Sequence, residues 1–229
     1  MDGVLVITGQ RTGAGHLFSL MRILPDVAPR ETLLRADMSD AAGLLNLAEF
    51  EAQSAHQRVV VLKATSVISR DLIERDVLSR PGMRAIFVVR RQIDSYVSLA
   101  IASALNVWRE RDMSDIRVKL DFDHFARWLE AEEAWYAHWT GWLERRSFPA
   151  PVLRYETHLS VAPDTVLRRF AGAVAQVGIS IKVPDKLKEA GLIKQDSRRA
   201  VAFKVRNWPE FSRDLIARNL EKRAFGYPI

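Results

Sequence analysis

The sequence predicts a single α/β domain in which helices cover both faces of a central parallel sheet. Short apolar runs alternate with helical segments along the chain, which is the pattern of parallel strands joined by helical crossovers. The runs at 58–63 and 84–89 contain continuous apolar stretches, as strands buried on both faces do. The 229 residues suit one domain, spanning 1–229, and no linker or repeat divides them.

The first elements follow from composition and periodicity. Residues 4–8 are apolar and rich in β-branched side chains, which predicts the first strand. Residues 17–24 show helical spacing, and Pro25 ends that helix. Further along, we predict a short strand at 32–35, a helix from Ser39 to about residue 56, a strand at 58–63 and a helix at 66–78.

The second half continues the alternation of strands and helices. We predict strands at 84–89 and 151–155, and helices at 93–108, 122–143, 163–177 and 209–220. The helix at 122–143 has one face that is largely aromatic, made of Phe125, Leu129, Tyr136, Trp139 and Leu143. Such a stripe indicates packing against the core rather than a cofactor site.

Charge and composition restrict the partners of this chain. The net charge of +6 and the pI of about 9.8 favour anionic partners, such as nucleotides, phosphorylated or sulfated substrates, or acidic membrane surfaces. No nucleic-acid-binding motif is present, so we expect no nucleic-acid partner. The absence of cysteine excludes disulfides, thiolate metal sites and a cysteine nucleophile. Because the sequence has neither signal-peptide features nor roughly 18 consecutive apolar residues, we expect a soluble, cytoplasmic protein.

A glycine-rich segment, GQRTGAGH at residues 9–16, follows the first strand and is called the first loop below. Its glycines let backbone N–H groups approach a ligand, and the N-terminus of the next helix favours a phosphate. Arg11 adds a charge with bidentate geometry. The loop lacks the lysine and hydroxyl residue of a magnesium-dependent phosphate loop, which disfavours an ordinary kinase or nucleoside triphosphatase. The alternative is a plain turn in which the glycines only relieve steric strain.

A second candidate anion site follows the strand at 84–89. Arg90 ends this strand, and Asp94 and Ser98 lie four and eight residues further on. In a helix these two side chains share one face, near Arg90 at the helix start, and this arrangement suits a second phosphate. The alternative is a surface hydroxyl at Ser98, with Asp94 a first-turn carboxylate that the helix dipole favours.

At these two sites the chain resembles the sulfotransferases that use 3′-phosphoadenosine-5′-phosphosulfate (PAPS). The Arg90, Asp94 and Ser98 pattern is similar to the family's 3′-phosphate motif, and the first loop is similar to its 5′-phosphosulfate loop. Other segments that resemble the family, in the same order, are Lys63-Ala64-Thr65, Leu153-Arg154-Tyr155-Glu156, Lys194-Gln195, Arg198-Arg199 and Val205-Arg206-Asn207-Trp208. The resemblance spans residues 4–220 and is nearest to bacterial carbohydrate or lipopolysaccharide sulfotransferases.

The resemblance implies a P-loop-like sulfotransferase fold and the transfer of a sulfuryl group from PAPS to a hydroxyl group, on a sugar or glycolipid. It implies no metal, and it places the acceptor pocket at variable loops such as 109–121. The implied donor-binding residues are Arg11, Thr12, Gly13, Ala14, Gly15 and His16 at the 5′ end, Arg90, Asp94, Ser98, Lys194, Arg198 and Arg199 at the 3′-phosphate, and Tyr155 beside the adenine. The alternatives are a core role for Tyr155 and a solvated turn at Arg198 and Arg199.

The resemblance also implies catalytic roles for four residues. Arg11 and Lys63 would stabilise the charge that develops on the leaving phosphate oxygen. Glu31 is the first candidate for the base that takes the acceptor's proton, and His16 is the second. Glu31 could instead be a solvated carboxylate paired with a neighbouring arginine, and Lys63 could simply reach the surface at the sheet edge.

The chain departs from the family at functional positions. Thr65 stands where the cytosolic branch has its catalytic histidine, and Ala14 and Gly15 replace the usual hydroxyl residues of the first loop. These departures favour a second interpretation, a non-catalytic nucleotide-binding module of sulfotransferase descent. A third, a kinase-like phosphotransferase, would share the first loop but requires metal ligands that the sequence does not suggest.

Overall fold

A five-stranded sheet lies at the centre of the computed structural model, which describes residues 2–31, 57–106, 115–185 and 200–229. The strands are β1 (Asp2–Thr8), β2 (Val27–Arg30), β3 (Val59–Ala64), β4 (Met83–Val89) and β5 (Val152–Arg154). Their order across the sheet is β2-β3-β1-β4-β5, and every pair of neighbours is parallel. The predicted α/β class and the parallel sheet are therefore confirmed.

Seven α-helices lie within the described ranges. They are α1 (Ala14–Met21), α2 (Arg70–Leu72), α3 (Gln92–Leu105), α4 (Phe122–Glu144), α5 (Pro163–Ala175), α6 (Trp208–Ala217) and α7 (Glu221–Phe225). Helix α2 continues as a π-helical segment, Ile73–Leu78, and a second π-helical segment, Tyr155–Leu159, follows β5. A single 3₁₀ turn, Val201–Phe203, precedes α6. No helix in these ranges combines the length and apolar character needed to cross a bilayer.

The alternation of side chains along β1 divides the core into two layers. Val4 and Val6 point to one face and pack with α1 and α5. Leu5 and Ile7 point to the other face and pack with the C-terminal half of α4 and the segment that follows α2. All four side chains are fully buried, which agrees with a strand covered on both faces.

A third apolar cluster joins α3, the N-terminal half of α4, α6 and α7 beside the sheet. Aromatic side chains dominate it: the ring of Phe125 lies 5.0 Å from Tyr96 and 5.3 Å from Phe211, centroid to centroid, in edge-to-face contacts. The predicted stripe on α4 is buried along its length and packs against two parts of the core. Phe125 and Leu129 lie in the helical cluster, while Tyr136 and Trp139 pack on the sheet. Helix α4 therefore ties the helical cluster to the sheet.

The strand order creates one switch point at the centre of the sheet. From β1 the chain passes to β2 at one edge of the sheet and returns to β3 beside β1, and it then crosses over to β4 and β5 on the other side of β1. In open parallel sheets such a point opens a crevice beyond the carboxyl ends of the strands. The first loop leaves β1 at this crevice, between the ends of β3 and β4.

Most predicted elements in the described ranges are confirmed, with boundary shifts of a few residues. Helix α1 begins three residues earlier than predicted, and α3 ends at Leu105, where Asn106 adopts a left-handed conformation with φ of 51°. The helix predicted from residue 66 begins at Arg70, because the Ser69 hydroxyl caps it by accepting the Leu72 N–H. Helix α7 was not predicted as a separate element.

One strand differs from the prediction. The sequence predicts no element at residues 27–30, yet they form β2, which pairs with β3. Pro29 conceals this strand in the sequence, although an edge strand tolerates proline because half of its N–H groups point away from the sheet. The strand predicted at 32–35 and the helix predicted at 39–56 lie outside the described residues.

Candidate anion-binding site

The first loop has a backbone conformation that exposes N–H groups at the start of α1. Arg11 and Gly13 have positive φ values, 59° and 90°, and the former is uncommon for a residue with a side chain. Gly13 is the N-cap of α1 and provides no side-chain hydrogen bond to the first turn. The N–H groups of that turn, which includes Ala14, Gly15 and His16, can therefore bind an anion where the helix dipole is positive.

Buried hydroxyl groups attach the base of the first loop to the sheet and to α4. The Tyr136 hydroxyl donates to the Val88 carbonyl over 2.8 Å and accepts the Gly9 N–H over 2.6 Å. The hydroxyls of Thr8 and Thr12 hydrogen-bond each other over 2.5 Å. These contacts fix the loop relative to the ends of β1 and β4.

Arg90, directly after β4, contacts the first loop. Its Nη1 donates to the Arg11 carbonyl over 3.0 Å, and its guanidinium lies 4.2 Å from the centre of the Tyr155 ring. Its buried Nε has no hydrogen-bond partner in the described part of the chain. The Arg11 side chain contacts α3, where its Nε donates to Ser98 Oγ over 3.1 Å. The two anion sites predicted from the sequence therefore adjoin each other.

Tyr155, directly after β5, packs against the first loop at Gly13. It lies so close to Gly13 that a Cβ atom at Gly13 would be 2.5 Å from the ring carbon Cδ2. Glycine is thus required at this position for two reasons, the positive φ and the contact with the ring. The structure places Tyr155 against Arg90 and the first loop.

Asp94 lies on α3 with Ser98 but has a different partner. Its carboxylate forms an ion pair with Arg91 over 2.9 Å, and Glu156 accepts the Arg91 backbone N–H over 3.2 Å. Asp94 is buried. The structure therefore brings Ser98 to Arg11, whose carbonyl Arg90 contacts, whereas Asp94 stabilises the turn between β4 and α3.

Lys63 and Glu31 flank the first loop on the other side, at the ends of β3 and β2. Lys63 Nζ lies 3.4 Å from Glu31 Oε2, and Arg22 Nη2 lies 3.9 Å from the other carboxylate oxygen. Glu31 Oε2 is 3.9 Å from the position of a Cβ atom on Gly15, so the carboxylate lies beside the first turn of α1. The Glu31 side chain is only 7% exposed. The interpretation of Glu31 as a solvated loop carboxylate is therefore wrong.

His16 lies in the first turn of α1 and is half-buried. Burial lowers the pKa of its imidazole below the usual 6.5, so the ring is neutral at pH 7. A neutral imidazole can accept a proton, which keeps His16 among the candidate bases. Thr65 follows β3 at the same edge of the sheet and is half-buried too.

Glu132 is a candidate residue that the sequence reasoning missed. This carboxylate of α4 lies beneath the first loop, where it accepts hydrogen bonds from the Ser66 hydroxyl, over 3.3 Å, and from the Gln10 backbone N–H. Burial raises its pKa from 4.5 to about 7. A signal was present in the sequence, because Glu132 interrupts the apolar stripe between Leu129 and Tyr136 at helical spacing.

Some predicted site residues lie outside the described ranges. Lys194, Arg198 and Arg199 belong to this group, and so do residues 109–114 of the predicted acceptor loop at 109–121. Of the residues that are described, no three or more His, Asp or Glu side chains are grouped so that they could hold a metal ion.

The arrangement as a whole can bind an anion with two charged groups. Backbone N–H groups and Arg11 lie at the centre, Arg90 and Ser98 on one side, and Lys63 with the carboxylate of Glu31 on the other. Cations stabilise transferred or leaving oxyanions, and a carboxylate beside them can take a proton. No known family model matches the sequence, and the comparison with curated proteins found no significantly similar sequence.

Proposed function

We propose that this protein is a sulfotransferase that moves a sulfuryl group from PAPS to a hydroxyl group on a sugar or glycolipid. The observation that carries the proposal is the hydrogen bond between Arg90 and the Arg11 carbonyl, 3.0 Å long, which joins two cationic sites at one crevice. A ligand that fits them must carry two anionic groups a short distance apart. The phosphosulfate and the 3′-phosphate of PAPS meet this requirement.

The residues present fit the donor. The open first turn of α1 suits the phosphosulfate, because no side chain caps its N–H groups and Arg11 lies in the loop that leads into it. The 3′-phosphate is assigned to Ser98 and to the Arg90 Nε that has no partner in the described part of the chain. Tyr155, which already packs on Arg90, presents a ring face at the same end of the site. The P-loop-like sulfotransferase fold is part of this proposal, and the loop between β1 and α1 at the switch point supports it.

The transfer forms one bond and breaks another. The acceptor oxygen attacks sulfur, and the bond from sulfur to the bridging oxygen of the 5′-phosphate breaks, so that 3′-phosphoadenosine-5′-phosphate leaves. Glu31 takes the proton of the acceptor hydroxyl, and Arg11 and Lys63 stabilise the negative charge on the leaving phosphate. Glu31 and Lys63 are 3.4 Å apart, which supports placing base and cation at the same reacting group.

A second candidate is a nucleotide-binding protein that does not catalyse transfer. The observation that favours it is the position of the Glu31 carboxylate, which contacts both Lys63 and Arg22. A carboxylate held between two cations can fix the position of the residues around the first loop without taking part in a proton transfer. Donor binding is common to both candidates, and only turnover separates them.

Calorimetry with 3′-phosphoadenosine-5′-phosphate and with ATP, each with and without Mg²⁺, tests the donor site. We expect binding of the former without Mg²⁺, and a loss of affinity of at least tenfold in Arg90→Ala and in Ser98→Ala. Arg58→Ala is the control, because Arg58 is exposed and lies at the amino end of β3, away from the carboxyl ends of the strands. A preference for ATP with Mg²⁺ would overturn the proposal in favour of a phosphotransferase.

Transfer of labelled sulfate from PAPS to a panel of sugar and glycolipid acceptors tests the reaction. We expect turnover in the wild type and a loss of at least a hundredfold in Glu31→Gln, with donor affinity retained. Turnover that persists in Glu31→Gln but disappears in His16→Ala would move the base to His16. Donor binding without turnover on any acceptor would favour the non-catalytic candidate.

A further inference from the structure

Glu132 contacts the first loop from below, and the proposed reaction does not use it. Its carboxylate lies so close to Gly9 that a Cβ atom there would be 1.9 Å from Oε2. It accepts the Gln10 N–H and the Ser66 hydroxyl, and thereby connects the first loop to the segment after β3. Only 6% of the residue is exposed.

The groups that face Glu132 are neutral at pH 7. They are the Ser66 hydroxyl from the segment after β3, the Gln10 N–H from the first loop and the Tyr136 phenol one turn along α4, whose own pKa is raised by burial and by Glu132. In the part of the chain that the structure describes, no lysine or arginine forms an ion pair with Glu132. The adjacent Glu133 points elsewhere and pairs with Arg223. When it is ionised, the Glu132 carboxylate is therefore a buried negative charge with no compensating cation among the described residues.

An anion on the first loop adds negative charge to the same buried region. Like charges in a medium of low polarity disfavour each other's ionised forms, so an anion at the loop favours the protonated form of Glu132. Protonation leaves a carboxyl oxygen to accept the Gln10 N–H, and the loop keeps its geometry. His16 also lies at the loop, and burial lowers its pKa below 6.5; it is present in every variant compared below, so its contribution is common to them.

We propose that Glu132 is a positioning residue of the first loop and that it takes up a proton when an anion binds there. The inference rests on the proposed function only in assuming that an anion binds at the loop. It adds a residue to the site and states how that site depends on pH.

Calorimetry of 3′-phosphoadenosine-5′-phosphate binding at pH 7, in two buffers of different ionisation enthalpy, measures the protons taken up. Because the Glu132 pKa is about 7, we expect the wild type to take up as much as about half a proton more than Glu132→Gln. The titration of the ligand itself is common to both proteins and cancels. Between pH 6 and pH 8.5 the affinity of the wild type should fall about sevenfold relative to the variant, if the anion raises the Glu132 pKa by one unit.

Two further variants separate a proton-linked role from a merely structural one. Glu130→Gln removes an exposed carboxylate from the same helix and should retain the proton uptake of the wild type. Ser66→Ala removes a hydrogen bond that lowers the Glu132 pKa, so the pH midpoint of binding should move upward. This variant keeps the carboxylate and serves as the test if Glu132→Gln does not fold. A structural role alone would change the affinity by the same factor at every pH.

Sulfate, followed by thermal shift against chloride of equal ionic strength, separates this inference from the proposed function. It carries two charges throughout the range from pH 6 to pH 8.5, and it needs only the first loop. Binding of sulfate without binding of the nucleotide overturns the donor assignment. The proton uptake is then measured with sulfate, in the wild type and in Glu132→Gln. Anion binding with the same proton uptake in wild type and Glu132→Gln overturns this inference alone. Absence of binding by either probe overturns both.

Discussion

At the scale of single residues, Arg90 makes two contacts that only a guanidinium can combine. One nitrogen donates to the Arg11 carbonyl and the plane lies against Tyr155, while the buried Nε has no hydrogen-bond partner among the described residues. We predict that Arg90→Lys lowers the affinity for 3′-phosphoadenosine-5′-phosphate about tenfold to a hundredfold, since lysine has no planar fork. The melting temperature should change little. An affinity equal to that of the wild type would show that Arg90 contributes charge alone.

Gly13 offers a second prediction at the same scale. An added methyl group meets the Tyr155 ring at 2.5 Å in a backbone conformation with φ of 90°. We predict that Gly13→Ala costs about 1–3 kcal/mol of unfolding free energy and weakens anion binding, because both the ring and the loop must move. Urea unfolding measures the first effect and calorimetry the second.

Gly172 is the matched control for Gly13. It lies in α5, and an added Cβ atom there would have no neighbour within 4 Å. Gly172→Ala should therefore leave anion binding intact and stabilise the protein by up to about 1 kcal/mol, since alanine is the better helix former. Equal losses in both variants would contradict the requirement for glycine at residue 13.

At the scale of elements, the attachment of the first loop to the sheet depends on one hydroxyl group of α4. Tyr136→Phe leaves the Gly9 N–H and the Val88 carbonyl without this partner in a buried region. We predict a loss of about 1–3 kcal/mol of unfolding free energy, measured by urea unfolding. We also predict weaker anion binding, because the loop loses a contact that fixes its base. A loss of stability with unchanged binding would separate the two roles of Tyr136.

The elements that the sequence predicted well are those with a strong local signal. The apolar runs of β3 and β4 and the long periodic stripe of α4 need no tertiary information, and they appear with boundaries within two residues. Strand β2 is four residues long and contains Pro29, so its formation depends on pairing with β3. That pairing is a tertiary contact, and no local pattern contains it.

The candidate site shows the same division. The first loop, Arg90 and Ser98 were predicted because glycines and strand ends mark them in the sequence, and the structure brings them together. The position of Glu132 beside Gly9 depends on how α4 packs on the sheet, because these two residues are distant along the chain and spacing alone does not predict their contact. Asp94 instead pairs with Arg91 three residues away, a local partner that the predicted anion site did not consider.

At the scale of the whole molecule, the free energy of unfolding should depend on pH through a carboxyl group and two histidines, whose effects on stability oppose each other. The Glu132 pKa is raised from 4.5 to about 7, so the folded state binds more protons than the unfolded state in this range. Its contribution is therefore lost as pH rises from 4.5 through 7, by on the order of 3 kcal/mol. His16 and His158 have lowered pKa values, and they reduce stability as pH falls below 6.5. The two effects oppose each other, which flattens the profile of the wild type below pH 6.5.

Replacing Glu132 separates its effect on stability from the effect of the two histidines. Glutamine resembles the protonated acid in size and polarity, so Glu132→Gln should match the wild type near pH 4.5. As pH rises to 8, the variant should become more stable than the wild type by about 1–3 kcal/mol, because it never carries the buried charge. Urea unfolding of both proteins at pH 4.5, 6, 7 and 8, without added anion, measures this difference. The two histidines are present in both proteins and cancel, so a difference that stays constant with pH would mean that Glu132 does not titrate in this range.

A stability gain of this size is a large part of the total for an ordinary domain. A carboxylate that lowers the stability of the folded protein by this much is consistent with a role in ligand binding rather than in stability.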